Sequence, residues 1–339
     1  MKYSILSFME YRKIQKTGGS TYIVSLPKDW VIENDLKEGD TLNIEKISTG
    51  VLEISSGQGE IKSEKEVGIQ ISNNDDENHF IRKLIAIYLS GYAIIKISGK
   101  DVIDKKMRTT IEKFSTMVIG MEIIEEGKDY VILQDLSSSM DLPMTRLLAR
   151  MYLMTESMIV DTAGILKNMN LDIAEDIVKR DTQVDRIYWL ISKQFYMIMK
   201  YPEYRRLLDV DPVHGSNIKS IAKSLERISD HAENIVSIIL NMESMLLDGA
   251  EKEYIESLFT HVINMLKTCY RSYTKKDVAL ANEVIDTAEY LYMKNNDFIH
   301  NIEKRADKNL GAVALITESV IRIGMYSADI AEIAINDNY

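Results

Sequence analysis

Three hydrophobic patterns follow one another along the chain. Up to residue 58, short runs of alternating apolar and polar residues are separated by turn residues. From 62 to 137, two stretches with helical spacing lie between strand-like runs. From 141 onward, apolar residues recur with the 3.6-residue period of an amphipathic helix. The chain is therefore predicted to be a multidomain α+β protein with domains at 1–58, 62–137 and 141–339.

The first segment predicts a small β-β-α-β-β domain. Thr17-Gly18-Gly19-Ser20 supplies residues that tolerate a tight turn, and Pro27 stands where a helix can begin. The predicted elements are strands 11–16 and 21–26, a helix at 28–34, and strands 41–46 and 51–55. A core of about 50 residues is marginal, so the domain is predicted to form a homodimer.

The middle segment predicts a small α/β domain with the order β-α-β-α-β-β. Its predicted strands are 66–72, 93–98, 121–125 and 130–134, and its predicted helices are 77–90 and 105–116. Gly91 and Gly99 are isolated, so no phosphate-binding glycine loop is present. The sequence indicates a role in assembly or signal transmission. The alternative is that the domain binds a small ligand at a dimer interface.

The last segment predicts an all-α region of six helices at 141–167, 171–200, 213–247, 251–273, 276–302 and 309–335. Short connections favour antiparallel neighbours, as in two stacked three-helix bundles. The halves 141–248 and 250–339 are predicted to be repeats. Arg180–Asp185 aligns with Ile285–Tyr290, and Ser224–Asp230 aligns with Ser319–Met325.

Composition and charge narrow the choice of function. The net charge of −11 argues against broad nucleic-acid binding, because phosphate contacts need a cationic surface. The single Cys269 excludes an intrachain disulfide and makes a cysteine metal site unfavourable. The longest apolar run, from Leu310 to Ile316, is soon interrupted by charges and is too short to span a membrane. We therefore expect a cytoplasmic protein without stable membrane insertion.

The amino-terminal segment is locally basic despite the acidic total. Between Met1 and Lys28 the cations are Lys2, Arg12, Lys13, Lys16 and Lys28, and the anion is Glu10. A two-fold dimer would double this charge and favour DNA phosphates. The alternative is that these are solvated strand charges on a dimerisation domain.

The run RKIQKTGGSTYIVSLPKDWVIENDLKEGDTLNI, residues 12–44, resembles the AbrB/MazE/SpoVT swapped-hairpin family in its basic first strand, its SLPKDW helix entry and its LKEGD turn. The resemblance implies an intertwined dimer whose hairpins form a barrel. It also implies that Arg12, Lys13, Lys16 and Lys28 contact DNA.

Two pairs of carboxylates share a spacing of four residues. Asp181 and Asp185 lie on one predicted helical face, and Glu226 and Asp230 repeat that spacing on an antiparallel helix. Converging carboxylates need a cation, and oxygen ligands suit magnesium, manganese, calcium or iron better than structural zinc. The alternative is pairing with nearby arginines, namely Arg180, Arg186 and Arg227.

The motifs RDTQVD (180–185) and SLERISDHAENI (224–235) resemble the paired acidic motifs of the PhoU family of phosphate regulators. The resemblance implies a metal site for iron, zinc or another divalent ion, with Asp181, Asp185, Glu226 and Asp230 as ligands. In the second half Tyr290, Ile321 and Met325 stand at the positions of three of these ligands, so one site at most is predicted.

The leading hypothesis is a negative regulator of phosphate uptake that acts through a phosphate ABC transporter and signalling partners, in a fusion that resembles archaeal phosphate regulators. The second is a DNA-binding autoregulator of the AbrB or antitoxin type with a metal- or partner-sensing helical region. An enzyme is not favoured, because no nucleophile, base or phosphate loop accompanies the acidic residues.

Overall fold

The computed structural model describes residues 10–56, 65–137, 142–166, 168, 170–241, 249–302 and 310–339. Two compact units divide the chain, Met1–Ser63 and Glu64–Tyr339. The predicted domain limits at 58, 62, 141 and 248 lie outside the described residues, as do the predicted helix ends at 167, 247 and 309.

The first unit has the predicted β-β-α-β-β order. Its elements are β1 (Gln15–Thr17), β2 (Thr21–Ile23), α1 (Lys28–Glu33), β3 (Leu42–Ser48) and β4 (Val51–Ser56). Both strand pairs are antiparallel hairpins, and Gly18 takes a positive φ of 63° in the first turn. The first strand is shorter than predicted. Tyr11 and Ile14, which were placed in it, are highly exposed and precede the first paired residue, Gln15.

Among the residues of this unit whose exposure is described, 10–46 and 49–56, none is buried. Large apolar side chains such as Tyr11, Tyr22, Ile32 and Ile44 stand at half to nine-tenths exposure. A domain stabilised mainly by burial of apolar surface cannot rest on such a surface alone. The described residues of this unit therefore need a further surface to cover them.

The second unit begins with the α/β domain. Its elements are β5 (Glu66–Ile71), α2 (Glu77–Leu89), β6 (Ile94–Gly99), α3 (Lys105–Met117), β7 (Met121–Glu126) and β8 (Tyr130–Asp135). The strand order in the sheet is β5-β6-β8-β7, with β5 and β6 parallel and the other pairs antiparallel. Alternate residues of the strands face the helices, so Ile69, Ile97 and Leu133 are buried with Leu84 and Phe114.

The helical region contains the six predicted helices and a short one that was missed. They are α4 (Met144–Ile165), α5 (Leu171–Lys200), α6 (Pro202–Leu208), α7 (Pro212–Leu240), α8 (Gly249–Lys275), α9 (Val278–Ile302) and α10 (Leu310–Asn336). Helices α4, α5 and α7 form one bundle, and α8, α9 and α10 form the other. The bundles meet where α10 packs on α7 and α4 on α8, around one continuous apolar core.

Helix α10 is long and apolar enough to cross a membrane by length and composition. It is the central helix of the second bundle and packs against α7, α8 and α9. Ile316, Val320 and Ile323 are fully buried there. Half of its apolar stretch is buried inside the protein, which accounts for part of its apolar character.

The α/β domain is attached to helix α5. The Lys193 ammonium, which is almost fully buried, forms an ion pair with Asp135 at the end of β8 and lies 4.5 Å from the centre of the Tyr88 ring. Arg186 donates to the Val118 carbonyl oxygen at 3.5 Å, and Trp189 packs against the core of the α/β domain. One helix therefore connects this domain to the first bundle.

Candidate metal centre

Three of the four predicted carboxylates meet between helices α5 and α7. Asp185 on α5 and Glu226 and Asp230 on α7 each place one oxygen within 4.8 Å of the others. Helices α5 and α7 are in contact, and the short connection between them, which contains only α6, makes them antiparallel. A spacing of four residues repeats the same face of a helix. Among the described residues this is the one group with metal-ligand spacing.

Asp181 lies one turn before Asp185 and is the most buried of the four, with 8% of its surface exposed. Its Oδ1 atom is buried without a hydrogen-bond partner. Burial raises the pKa of Asp181 to about 6, helped by the charges of Glu233 and Glu226 and opposed by a hydrogen bond with Ser229. A buried carboxylate oxygen without a partner is a free ligand for a cation.

The pKa values of Asp185, which is partly buried, and of Asp230, which lies on the exposed side of the cluster, are also raised. Burial raises the pKa of each to about 7, and the surrounding carboxylates add to the shift. For Asp185 the charged neighbours are Asp181, Asp230 and Glu226. Such a cluster favours either shared protons or a bound cation.

The three arginines that the sequence offered as partners point elsewhere. Arg180 forms an ion pair with Asp161 at 2.6 Å, and Arg186 reaches the Val118 carbonyl oxygen. Arg227 stacks over the Tyr326 ring at 5.4 Å. The alternative that these arginines pair with the four carboxylates was therefore wrong.

The cation beside the cluster is Lys223, which sequence reasoning missed. Its Nζ atom donates to both carboxylate oxygens of Glu226, at 2.5 and 2.6 Å. The spacing of three residues on one helix could have revealed this pair. Glu233, which raises the pKa of Asp181, was also missed, although it lies seven residues after Glu226 on the same helical face.

Other predicted features do not join the cluster. His231 faces the Tyr326 ring at 5.8 Å, and burial together with the Arg322 charge lowers its pKa. Asn234 donates to the Ser319 hydroxyl group. In the second half, Asp286 is exposed on α9 and belongs to no cluster of three or more possible metal ligands among the described residues.

The predicted DNA-contacting residues are all exposed in the first unit. Lys16 lies in β1, Lys28 begins α1, and Arg12 and Lys13 precede the first paired residue. Arg12 forms an ion pair with Glu10. DNA contact by these residues stays a prediction.

The fold and the site define a class: a protein of two stacked three-helix bundles, with a carboxylate cluster between two antiparallel helices and smaller domains before it. The profile of the PhoU domain matches residues 148–239 and 255–334, slightly more than half of the chain. The chain belongs to the PhoU family, whose members are regulators of phosphate transport and not enzymes. Residues 15–58 match the profile described as "Antidote-toxin recognition MazE, bacterial antitoxin".

Solved structures that are similar to this chain include two PhoU proteins. The phosphate transport system regulatory protein PhoU from Streptococcus pneumoniae shares 16% identity at a TM-score of 0.47, over 57% of this chain and 91% of that one. PhoU from Pseudomonas aeruginosa shares 13% identity at a TM-score of 0.42, over 57% and 93%. Comparison with curated protein sequences gave no match.

Proposed function

We propose that this protein is a cytoplasmic, metal-dependent negative regulator of phosphate uptake that acts through a phosphate ABC transporter and its signalling partners. The observation that carries the metal requirement is the Asp185, Glu226 and Asp230 cluster, with the unpartnered Asp181 oxygen beside it. An all-oxygen ligand set fits one iron, manganese, magnesium or zinc ion, with a preference for the harder ions. The bound ion would neutralise the cluster.

The metal content of the purified protein tests this site. The variant Asp181→Asn, Asp185→Asn, Glu226→Gln, Asp230→Asn keeps side-chain volume and removes the charge. After exposure to each metal and dialysis, the wild type is expected to hold about one ion per chain, and this variant almost none. Elemental analysis measures the difference.

Asp286→Asn is the matched control, because Asp286 aligns with Asp181 in the second repeat but is exposed and belongs to no group of three or more possible metal ligands among the described residues. It is expected to retain the metal. In cells that lack the protein, labelled-phosphate uptake should rise, and only the wild type and the control should lower it again. Equal metal content in all three proteins would contradict the site. Equal uptake with and without the protein would contradict the regulatory role.

A second candidate function is DNA binding by the first unit as a homodimer. Two observations favour it: the match of residues 15–58 to the MazE profile, and the absence of buried residues among those of the first unit whose exposure is described, which a second copy would cover. In such a dimer Arg12, Lys13, Lys16 and Lys28 would each appear twice. Each phosphate that they neutralise would steepen the salt dependence of binding.

Gel retardation with DNA from upstream of the protein's own gene tests this function. Arg12→Ala with Lys13→Ala is expected to abolish retardation at low salt, while light scattering still shows a dimer. Lys37→Ala with Lys46→Ala removes two other exposed cations of the same unit and is expected to retain binding. Absence of retardation by the wild type would refute DNA binding, and a monomeric wild type would refute the homodimer.

A further inference from the structure

Lys223 is built into the edge of the carboxylate cluster. Its ammonium donates to both oxygens of Glu226, whose side chain is 12% exposed. The same Nζ atom lies 5.0 Å from the centre of the Tyr188 ring, on the opposite helix and three residues after Asp185. The lysine is thus held between the two helices that provide the metal ligands.

The ammonium supplies the positive charge that the cluster lacks without a metal. Lys223 lowers the pKa values of Asp185 and Asp230, against the stronger effects of burial and of the neighbouring carboxylates. A carboxylate that accepts from an ammonium with both oxygens has fewer lone pairs for a metal ion. A divalent cation at this site would also be repelled by the ammonium.

From this geometry we infer that Lys223 is a displaceable counter-cation, which occupies Glu226 in the metal-free protein and must leave Glu226 when a divalent cation binds. The inference rests on the proposed metal site and adds to it a lysine that competes with the metal ion for Glu226. The flexible lysine stem allows the ammonium to leave Glu226, and the Tyr188 ring, which it already approaches at 5.0 Å, still favours the cation there. Lys223 therefore sets the metal concentration at which the site fills.

The second repeat lacks both the cluster and its lysine. Lys223 aligns with Glu318, and Glu226 and Asp230 align with Ile321 and Met325. Where the metal ligands are missing, the counter-cation is missing as well. A lysine that served only helix packing would not need to follow the carboxylates in this way.

Calorimetric titration with Mn²⁺ at pH 8 tests the inference, because at this pH proton competition for the carboxylates is small. Lys223→Met is expected to bind Mn²⁺ about tenfold more tightly than the wild type, since a charge-assisted hydrogen bond no longer competes. Lys223→Gln, which keeps a donor without charge, should change the affinity in the same direction. The metal-free Lys223→Met protein should melt at a lower temperature than the metal-free wild type.

Lys219→Met is the matched control. Lys219 lies one turn before Lys223 on the same helical face, and its ammonium stands over the rings of Phe195 and Tyr196. This variant should bind Mn²⁺ like the wild type. If the wild type binds Mn²⁺ and Lys223→Met binds it equally or more weakly, Lys223 positions Glu226 or plays no part. The competition by Lys223 is then refuted, and the proposed metal site still stands. If no variant binds Mn²⁺, the proposed metal site fails as well.

Discussion

Replacing Lys193 with methionine is expected to lower the free energy of unfolding of the second unit by about 3 to 5 kcal/mol. The side chains of Lys193 and Asp135 are only 4% and 8% exposed. Without the ammonium, the Asp135 carboxylate would stay buried with Ser137 as its remaining hydrogen-bond donor, through the backbone N–H and the hydroxyl group. A buried charge without its partner is strongly destabilising.

Urea denaturation followed by circular dichroism measures this loss. The double variant Lys193→Met, Asp135→Asn removes both charges and keeps an oxygen that accepts from Ser137, so it should recover more than half of the loss. Lys96→Met is the control, because its ion pair with Glu66 is about half exposed and should contribute less than about 1 kcal/mol. Equal small losses for Lys193→Met and Lys96→Met would contradict the importance of the buried pair.

The position of this ion pair matters for the proposed function because helix α5 carries both Lys193 and two candidate ligands, Asp181 and Asp185. Asp185 is followed directly by Arg186, which reaches the α/β domain, and Lys193 lies two turns further along. Rigid secondary-structure elements are among the features that carry energetic coupling between distant sites. Occupation of the cluster by a metal would therefore act on the helix to which the α/β domain is attached.

The spacing of apolar residues along the sequence was enough to predict most of the fold. The range of α5, Leu171–Lys200, was predicted to the residue because Asn170 caps its first turn and Pro202 follows its end. All six elements of the α/β domain were also predicted within two residues. Helix α6 was missed because seven residues starting at a proline are too few to show a helical period.

The candidate site was only partly predictable from sequence. Spacing places Asp181 with Asp185 and Glu226 with Asp230, and short loops make their helices antiparallel. The partner that each arginine side chain reaches depends on residues of neighbouring elements, such as Asp161 on α4 for Arg180. The spacing of residues along one helix carries no information about such partners. Burial of Asp181 and the resulting pKa shifts likewise arise from packing between helices.

The metal-free protein is expected to lose stability as the pH rises from 5 to 8. The pKa values of Asp185 and Asp230 are raised from 3.8 to about 7, and that of Asp181 to about 6, chiefly by burial. The native state therefore holds protons that the unfolded chain has released between about pH 4 and 7, so stability falls as the pH rises through this window. With solvent screening of these partly exposed groups, a decrease of about 2 to 4 kcal/mol is expected.

A divalent metal ion should reverse this dependence. At a metal concentration of about 100 times the dissociation constant, binding adds about 2.7 kcal/mol. The gain should be larger at pH 8 than at pH 5, because protons compete with the metal for the same oxygens. Thermal and urea unfolding of the wild type with and without Mn²⁺ at both pH values measure the two effects.

The variant Asp185→Asn, Asp230→Asn isolates the contribution of the cluster from those of other titrating groups, such as His231. Its metal-free form should be more stable than the metal-free wild type at pH 8, because two like charges have been removed from a crowded site. Its stability should change less between pH 5 and 8, and Mn²⁺ should no longer raise it. If the variant keeps the wild-type pH dependence, the carboxylates are exposed enough to ionise independently, and the electrostatic reason for a metal at this site disappears.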